Sequence, residues 1–292
     1  MLKVLRRSGT VWTAVAMSAI VMVSGAVVVA GASVTGKTHK KHSGGFGPYI
    51  CRPDGRRTIK KHGTQYFVRN DVFSSARMCV KVEKHDVGFK VVRSSANGHG
   101  GDTQAFPEAI YGCAWGVCTP HTLLPRKVFR FKNLVTSWST SWRRVTGHFD
   151  VGYDIWFGHR HTIHGHALGA ELMIWLGQKG FGIPSEDPIY WVEGKRYYYA
   201  RHKACDIYGC WNYVLFRRVV PTTQVQHLGL LPFIRIAQKH HQIGYRSWLK
   251  SIDSGFEIWW GGKNLETHSF RVHLQLKPTR HKKKHHKKKH HK

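Results

Sequence analysis

The chain is 292 residues long, with a formal net charge of +30 from 46 Lys and Arg against 16 Asp and Glu, and it carries six cysteines. That length accommodates one large all-β domain with a proper core and excludes two such domains beside the unusual ends described below. The charge favours anionic polymers as partners without naming one. Nine of the excess positive charges fall from Lys277 onward, so the remainder still holds about +21.

Lys3, Arg6 and Arg7 precede an apolar run from about Val11 to Ala30, and Ala30, Gly31 and Ala32 are the small residues an export peptidase cuts beside. Residues 1–32 therefore read as the signal peptide of a secreted, extracellular protein. The competing reading is an uncleaved anchor, because the run is long enough to span a bilayer. A membrane is a partner only in that case, and the anchored protein would still face outward. Residues 33–48 include KTHKKHSGGFG, basic and then glycine-rich, which suits a linker unable to bury apolar surface. Folded structure is expected from Tyr49, where short alternating runs broken by Gly, Pro, Asn and Asp begin, the pattern of an antiparallel sandwich. No internal repeat is evident.

The cysteines are Cys51, Cys79, Cys113, Cys118, Cys205 and Cys210. An even count in an exported chain reads as disulfides, with fifteen connectivities open. Local closure of Cys205 and Cys210 is the simplest arrangement for that pair; a zinc site competes, but the spacing is not CxxC. Trp138 and Trp142 are assigned to core or rim, since large aromatics usually fill interiors. His159, His161, His164 and His166 crowd one turn and read as a solvated hairpin loop rather than a metal site, because no carboxylate or cysteine joins them. Leu230 to Gly244 is the one convincing helix: Pro232 suits its first turn, Ile234 and Ala237 form an apolar stripe, Lys239, His240 and His241 sit where the dipole welcomes cations, and Gly244 can close it. Residues 277–292, KPTRHKKKHHKKKHHK, contain nothing apolar that could order them. They read as a disordered tail, either merely solubilising or tethering the protein to anionic wall polymer, more tightly as the imidazoles protonate.

Three strings with period two carry the functional reading. In AELMIWL, Ala170 to Leu176, the side chains of Glu171, Met173 and Trp175 point one way, and Leu172, Ile174 and Leu176 the other. The second face packs on a core, whereas a carboxylate, a thioether and an indole together suit the floor of a sugar-binding groove. GFEIW, Gly255 to Trp259, repeats the arrangement with Glu257 and Trp259 opposite Phe256 and Ile258, and YDIWF, Tyr153 to Phe157, places Asp154 and Trp156 together. Carboxylates beside indoles on neighbouring strands suggest a glycosidase.

These strings resemble glycoside hydrolase family 12, whose nucleophile sits in an E(I/L)MIW strand and whose acid/base sits in a GFEIW strand. The likeness extends to GCAWGVCT at Gly112 to Thr119, similar to that family's cysteine loop, and to GGKNLETHSF after the second glutamate, and it covers Tyr49 to Leu276. The resemblance implies a jelly-roll sandwich of two antiparallel sheets, a concave substrate cleft, a single helix packed beneath the sheet that holds the second glutamate, and pairing of Cys51 with Cys79 and Cys113 with Cys118. It places a cleft aromatic at Trp115. It also makes QYFVRNDVF, Gln65 to Phe73, similar to the family's sugar-contacting NNxW strand. There Asn70 is kept, while Asp71 and Phe73 replace Asn and Trp; Phe73 can still stack on a pyranose with less area than an indole, or belong to the core. Trp260 stands where the family commonly has a polar residue.

Retaining hydrolysis needs an ionised carboxylate to attack the anomeric carbon and a protonated carboxyl to donate to the leaving oxygen, about 5 to 5.5 Å apart. The resemblance makes Glu171 the nucleophile and Glu257 the acid/base. Asp154 is expected to hydrogen-bond and orient Glu171, or else to pair with one of the many cations. Asn70, Phe73, Trp115, Trp156, Met173, Trp175 and Trp259 are the expected substrate contacts. No metal or organic cofactor is required, since the two carboxyls perform both steps. The implied activity is that of a monomeric endo-β-1,4-glucanase acting on cellulose-type, mixed-linkage or xyloglucan chains. Two rivals stand beside it: a carbohydrate-binding sandwich without turnover, which would need neither glutamate, and a basic polyanion- or nucleic-acid-binding protein, which lacks any element that reads bases.

Overall fold

The computed structural model describes residues 49–61, 63–83, 86–98, 101–182 and 187–278. The segments read as signal peptide (1–32) and linker (33–48), and the expected tail beyond Pro278, lie outside the described residues. In chain order the strands are β1 (Tyr49–Ile50), β2 (Gly55–Lys61), β3 (Thr64–Val72), β4 (Met78–Val82), β5 (Phe89–Ser94), β6 (Ala96–Asn97), β7 (Ala105–Ala114), β8 (Val117–Cys118), β9 (Arg126–Lys127), β10 (Phe131–Ser141), β11 (Gly147–Gly158), β12 (Ala170–Lys179), β13 (Ile189–Val192), β14 (Lys195–Asp206), β15 (Gly209–Arg218), β16 (Gln224–Gly229), β17 (Trp248–Gly255), β18 (Ile258–Gly261) and β19 (Glu266–Leu276), with helix α1 (Leu231–Lys239) before β17.

Two sheets pack face to face, as the jelly roll requires. The smaller runs β1-β4-β5-β19-β10-β16; the larger runs β13-β14-β15-β12-β11-β17-β7 and continues through β3 to β2 at one edge, with β18 and β6 beyond β7. One pairing departs from the expected antiparallel pattern: β12 lies parallel to β15. The chain between them makes the β13–β14 excursion before returning, long enough for a parallel crossover.

The core is built by alternation. Along β11 the side chains of Phe149, Val151, Tyr153, Ile155 and Phe157 enter the interior, and along β12 those of Leu172, Ile174 and Leu176 join them. Trp138 of β10 meets Tyr153 from the opposite sheet with ring centroids 5.1 Å apart, its indole N–H donating to Thr267 Oγ1 at 3.2 Å. Trp142 is also interior, and a Cβ on Gly177 would come within 2.3 Å of its ring, so only glycine fits there. Both tryptophans are therefore core.

Helix α1 packs Phe233 against Tyr197 and Phe216 of β14 and β15, beneath the larger sheet, with Ile234 and Ala237 also buried. It is shorter than expected. His241, at φ +58°, ends it by donating its N–H to the Gln238 carbonyl, while Gln242 N–H reaches back to Ala237 O. These are the orphan carbonyls of the last turn, so no glycine is needed and Gly244 lies beyond the stop. The disulfides are Cys51–Cys79, Cys113–Cys118 and Cys205–Cys210, the last closing the β14–β15 hairpin.

Candidate active site

The outer face of the larger sheet gathers the polar residues that alternation keeps out of the core. At its centre, Glu171 on β12 lies opposite Trp156 of β11 and Tyr213 of β15, and Met173 lies opposite Asp154 and Leu215. Asp154 is in register with Asp253 of β17 on its other side. Toward β3 the face carries Glu108 on β7 opposite Arg69.

GFEIW does not form one strand. β17 ends at Gly255, β18 begins at Ile258, and Phe256 and Glu257 occupy the break. Parity nonetheless survives: Phe256 and Ile258 are core, while Glu257 and Trp259 face outward. Across the break the register is continuous, with Gly152 paired to Gly255 and Phe149 to Ile258, so Asp150 lies opposite Glu257; the register shifts one step further on, between His148 and Phe149, where Trp259 is the extra residue. Such irregularities re-aim side chains next to functional sites. At the break itself the Asp150 N–H donates to the Glu257 carbonyl at 3.0 Å, and Asp150 Oδ1 accepts the Glu257 N–H at 3.4 Å.

Glu171 is 7% exposed, and its Oε2 accepts the Trp211 indole N–H at 2.6 Å. Burial, then the Glu257 charge, pushes its pKa up to about 8, with the Trp211 bond opposing. Burial also raises Glu257, with Asp150 opposing. The expected hydrogen bond from Asp154 to Glu171 is absent: Asp154 Oδ2 accepts the Trp156 indole N–H at 2.8 Å, and Oδ1 meets no donor among the described residues. Nor does a cation pair with it; burial and the charges of Glu171 and Asp253 hold its carboxyl well above the usual range. Trp211, not Asp154, orients Glu171.

The aromatic candidates fall in two groups. Trp156 and Trp211 meet His166, which also touches Trp115; the ring centroids stand 4.8, 4.3 and 5.3 Å from the imidazole. His166 is thus packed among three indoles rather than solvated, unlike the exposed His159, His161 and His164. Trp115, at φ +50° in the disulfide loop, keeps 48% of its surface exposed. In the second group, Phe181 bridges Trp175 and Trp259 at 5.0 and 4.9 Å, and Trp259 stacks on His148 while donating to Gly101 O at 2.9 Å. Met173 and Trp175 lie on the outer face but beneath Phe181, Trp156 and Trp211, forming a floor.

Asn70 is not in the cleft. Its side chain turns inward between Val68 and Val72, fully buried, and donates to Met78 O at 3.0 Å and Arg52 O at 3.4 Å. Period two places Asp71 and the half-exposed Phe73 on the outer face instead, with Arg69. Arg69 is clamped by Asp71 and by Glu108, whose Oε1 is 2.7 Å from its Nε.

Sequence reasoning missed Asp150, Asp253, Glu108, Arg69, Trp211 and Tyr213. The alternation of YDIWF continues back through HFDVG and would have put Asp150 beside Asp154; CWNYV would likewise have paired Trp211 with Tyr213. No local signal announces that Trp211 reaches Glu171 from another strand.

Neither models of known protein families nor curated proteins yield a match to the chain. Among solved structures, the endoglucanase cel12A from Rhodothermus marinus superposes with a TM-score of 0.71 at 31% identity, covering 78% of this chain and 99% of its own. A metagenome-derived glycoside hydrolase family 12 endoglucanase gives 0.71 at 29%, covering 78% and 98%. A family 12 xyloglucanase from Bacillus licheniformis, at 16% identity and a TM-score of 0.68, shares the fold over 78% of this chain. With nearly the whole of the Rhodothermus enzyme matched at that identity, the chain belongs to glycoside hydrolase family 12.

Proposed function

We propose that the protein is a secreted, endo-acting, retaining endo-β-1,4-glucanase working by double displacement. The observation that carries this reading is Glu171, held by the Trp211 N–H on an outward sheet face with Glu257 as the leading charge upon it. Glu171 attacks the anomeric carbon and Glu257 protonates the leaving oxygen; Glu257 then activates the water that hydrolyses the glycosyl ester. The raised pKa values mean that the empty site retains a proton into neutral pH. An indole can only donate, so when the pair gives up its first proton Trp211 favours the anion on Glu171 and leaves the remaining proton to Glu257.

Charge distribution supports a neutral glycan. Seven of the 16 acidic residues, Asp71, Glu108, Asp150, Asp154, Glu171, Asp253 and Glu257, gather on this face of a chain with net charge +30. An acidic polysaccharide would be repelled where it must react, whatever the exterior attracts. Exposed aromatics at both ends of the face, Phe73 after β3 and Trp191 on β13, support a polymer bound across the sheet and hence internal cleavage. Both solved structures at 29–31% identity are endoglucanases, which supports internal cleavage of a glucan. Three disulfides suit an oxidising, extracellular setting, and the Lys/His tail is proposed to hold the enzyme on anionic wall polymer.

Reducing-sugar release from cellulosic, mixed-linkage and xyloglucan substrates, with polygalacturonate as the acidic control, tests the reading. Wild type should cleave neutral glucan, and Glu171→Gln and Glu257→Gln should each abolish cleavage. Activity surviving both substitutions rejects it.

A further inference from the structure

Asp150 has no part in the mechanism above, yet its placement is specific. It is fully buried on the face of β11 that carries Asp154 and Trp156. Two hydrogen bonds through the Glu257 backbone tie it to that residue and hold the two carboxyls side by side. Asp150 Oδ2 finds no N–H or O–H donor among the described residues. Two ionised carboxylates are acceptors only, so side by side they can bond each other only through a proton on one of them.

Among the described residues no cation is a leading influence on this pair. The groups acting on Asp150 or sharing its surroundings are Asp154 on the same strand, Glu171 on β12 and Tyr213 on β15, all acidic when they ionise. His148, two residues earlier, is pushed toward its neutral form by burial. No Lys or Arg is among the groups acting on Asp150 or Glu257. Gly152 keeps the carboxyl in place, since a Cβ there would come 3.3 Å from Asp150 Oδ1 and 2.9 Å from Trp175 Cδ1. Like charges in contact and out of water cannot both ionise at neutral pH.

We propose that Asp150 is the positioning residue of the acid/base: Asp150 and Glu257 form a diacid that holds one shared proton, which Glu257 delivers to the leaving oxygen. This rests on the assignment of Glu257 given above. In the first half-reaction the C–O bond breaks with its electron pair on the leaving oxygen, which takes the proton, and a carboxylate oxygen of Glu171 bonds the anomeric carbon. The diacid gains one negative charge as Glu171 loses one on becoming an ester, so the charge of the buried site does not change. In the second half-reaction water supplies its oxygen to the anomeric carbon and its proton to the diacid, and Glu171 departs as the anion.

Asp150→Asn tests this, because the amide keeps an acceptor for the Glu257 N–H but cannot share an ionisable proton. The readout is carbon-13 NMR titration of protein labelled at the Glu side-chain carboxyls, with Glu257 identified as the resonance lost in Glu257→Gln. Loss of the pair's last proton, followed at the Glu257 resonance, should move to lower pH by about one unit or more in Asp150→Asn, because ionisation then no longer places a second charge beside the first. The pH profile of kcat/KM on β-glucan should move as well, and the loss of turnover should be greater on β-glucan than on a dinitrophenyl cellobioside, whose leaving group needs no proton. An unmoved Glu257 midpoint would show that Asp150 is only a backbone brace and overturn the proposal. Failure of wild type to cleave any glucan would instead reject the glycosidase reading, while the titration would still decide whether the proton is shared.

Discussion

Replacing Glu171 by Gln should abolish turnover and stabilise the protein, and the stabilisation should depend on pH in a fixed direction. The folded carboxyl is pushed from an ordinary value of 4.5 up to about 8. Protonated Glu171 is therefore favoured by folding: its contribution is fully present below about 4.5 and is lost as pH rises through about 8. At about 1.36 kcal/mol per pKa unit, wild type loses about 3 kcal/mol at this site between pH 5 and pH 8, and the amide loses none. For a domain of this size that corresponds to roughly 6–12 °C in Tm. Differential scanning calorimetry of both proteins at pH 5, 6.5 and 8 reads the effect, and histidine titration, common to both, cancels in the difference. The variant should match wild type near pH 5 and melt well above it at pH 8. A difference that does not vary with pH, or a variant less stable at pH 8, would refute the reasoning.

Other expectations follow from the same contacts. Trp211→Phe removes the N–H donor to Glu171 and should lower kcat/KM by about 10- to 100-fold, the worth of a hydrogen bond to a charged group; it should also move the acid limb of the profile to higher pH, and an unaltered limb would argue against Trp211 as the orienting group. Arg69→Met strands the buried Glu108 and Asp71 and should cost about 3–5 kcal/mol in urea unfolding, as loss of one partner from a buried ion pair does. Deleting residues 277–292 should leave kcat on soluble glucan unchanged while lowering the salt needed to elute the protein from a phosphate-bearing polymer; an unchanged salt slope would exclude the tail as the tether.

Much of the site was legible because a sheet turns sequence parity into sidedness. Glu171, Met173 and Trp175 share a face, as do Asp154 and Trp156, and Glu257 keeps its side although its strand is broken. The same rule, applied to Asn70, Val72 and Phe73 one residue at a time, places Asn70 inside, against what the resemblance of the whole motif implies. What parity cannot supply is contact between strands distant in sequence. Trp211 reaches Glu171 only because β15 returns parallel to β12, and Asp150 meets Glu257 only because β11 stays in register with the chain across the break between β17 and β18. The helix ended early for a local reason of another kind, a histidine taking the left-handed conformation where glycine was expected.

The central claim is a covalent step at one carboxylate, and trapping addresses it most directly. Incubation with dinitrophenyl 2-deoxy-2-fluoro-cellobioside, followed by intact-mass and peptide mass spectrometry, should show one fluoroglycosyl group per chain, carried by the peptide containing Glu171. A label on any other carboxylate, or normal β-glucan cleavage with inverted product and no trapped adduct, would contradict the account.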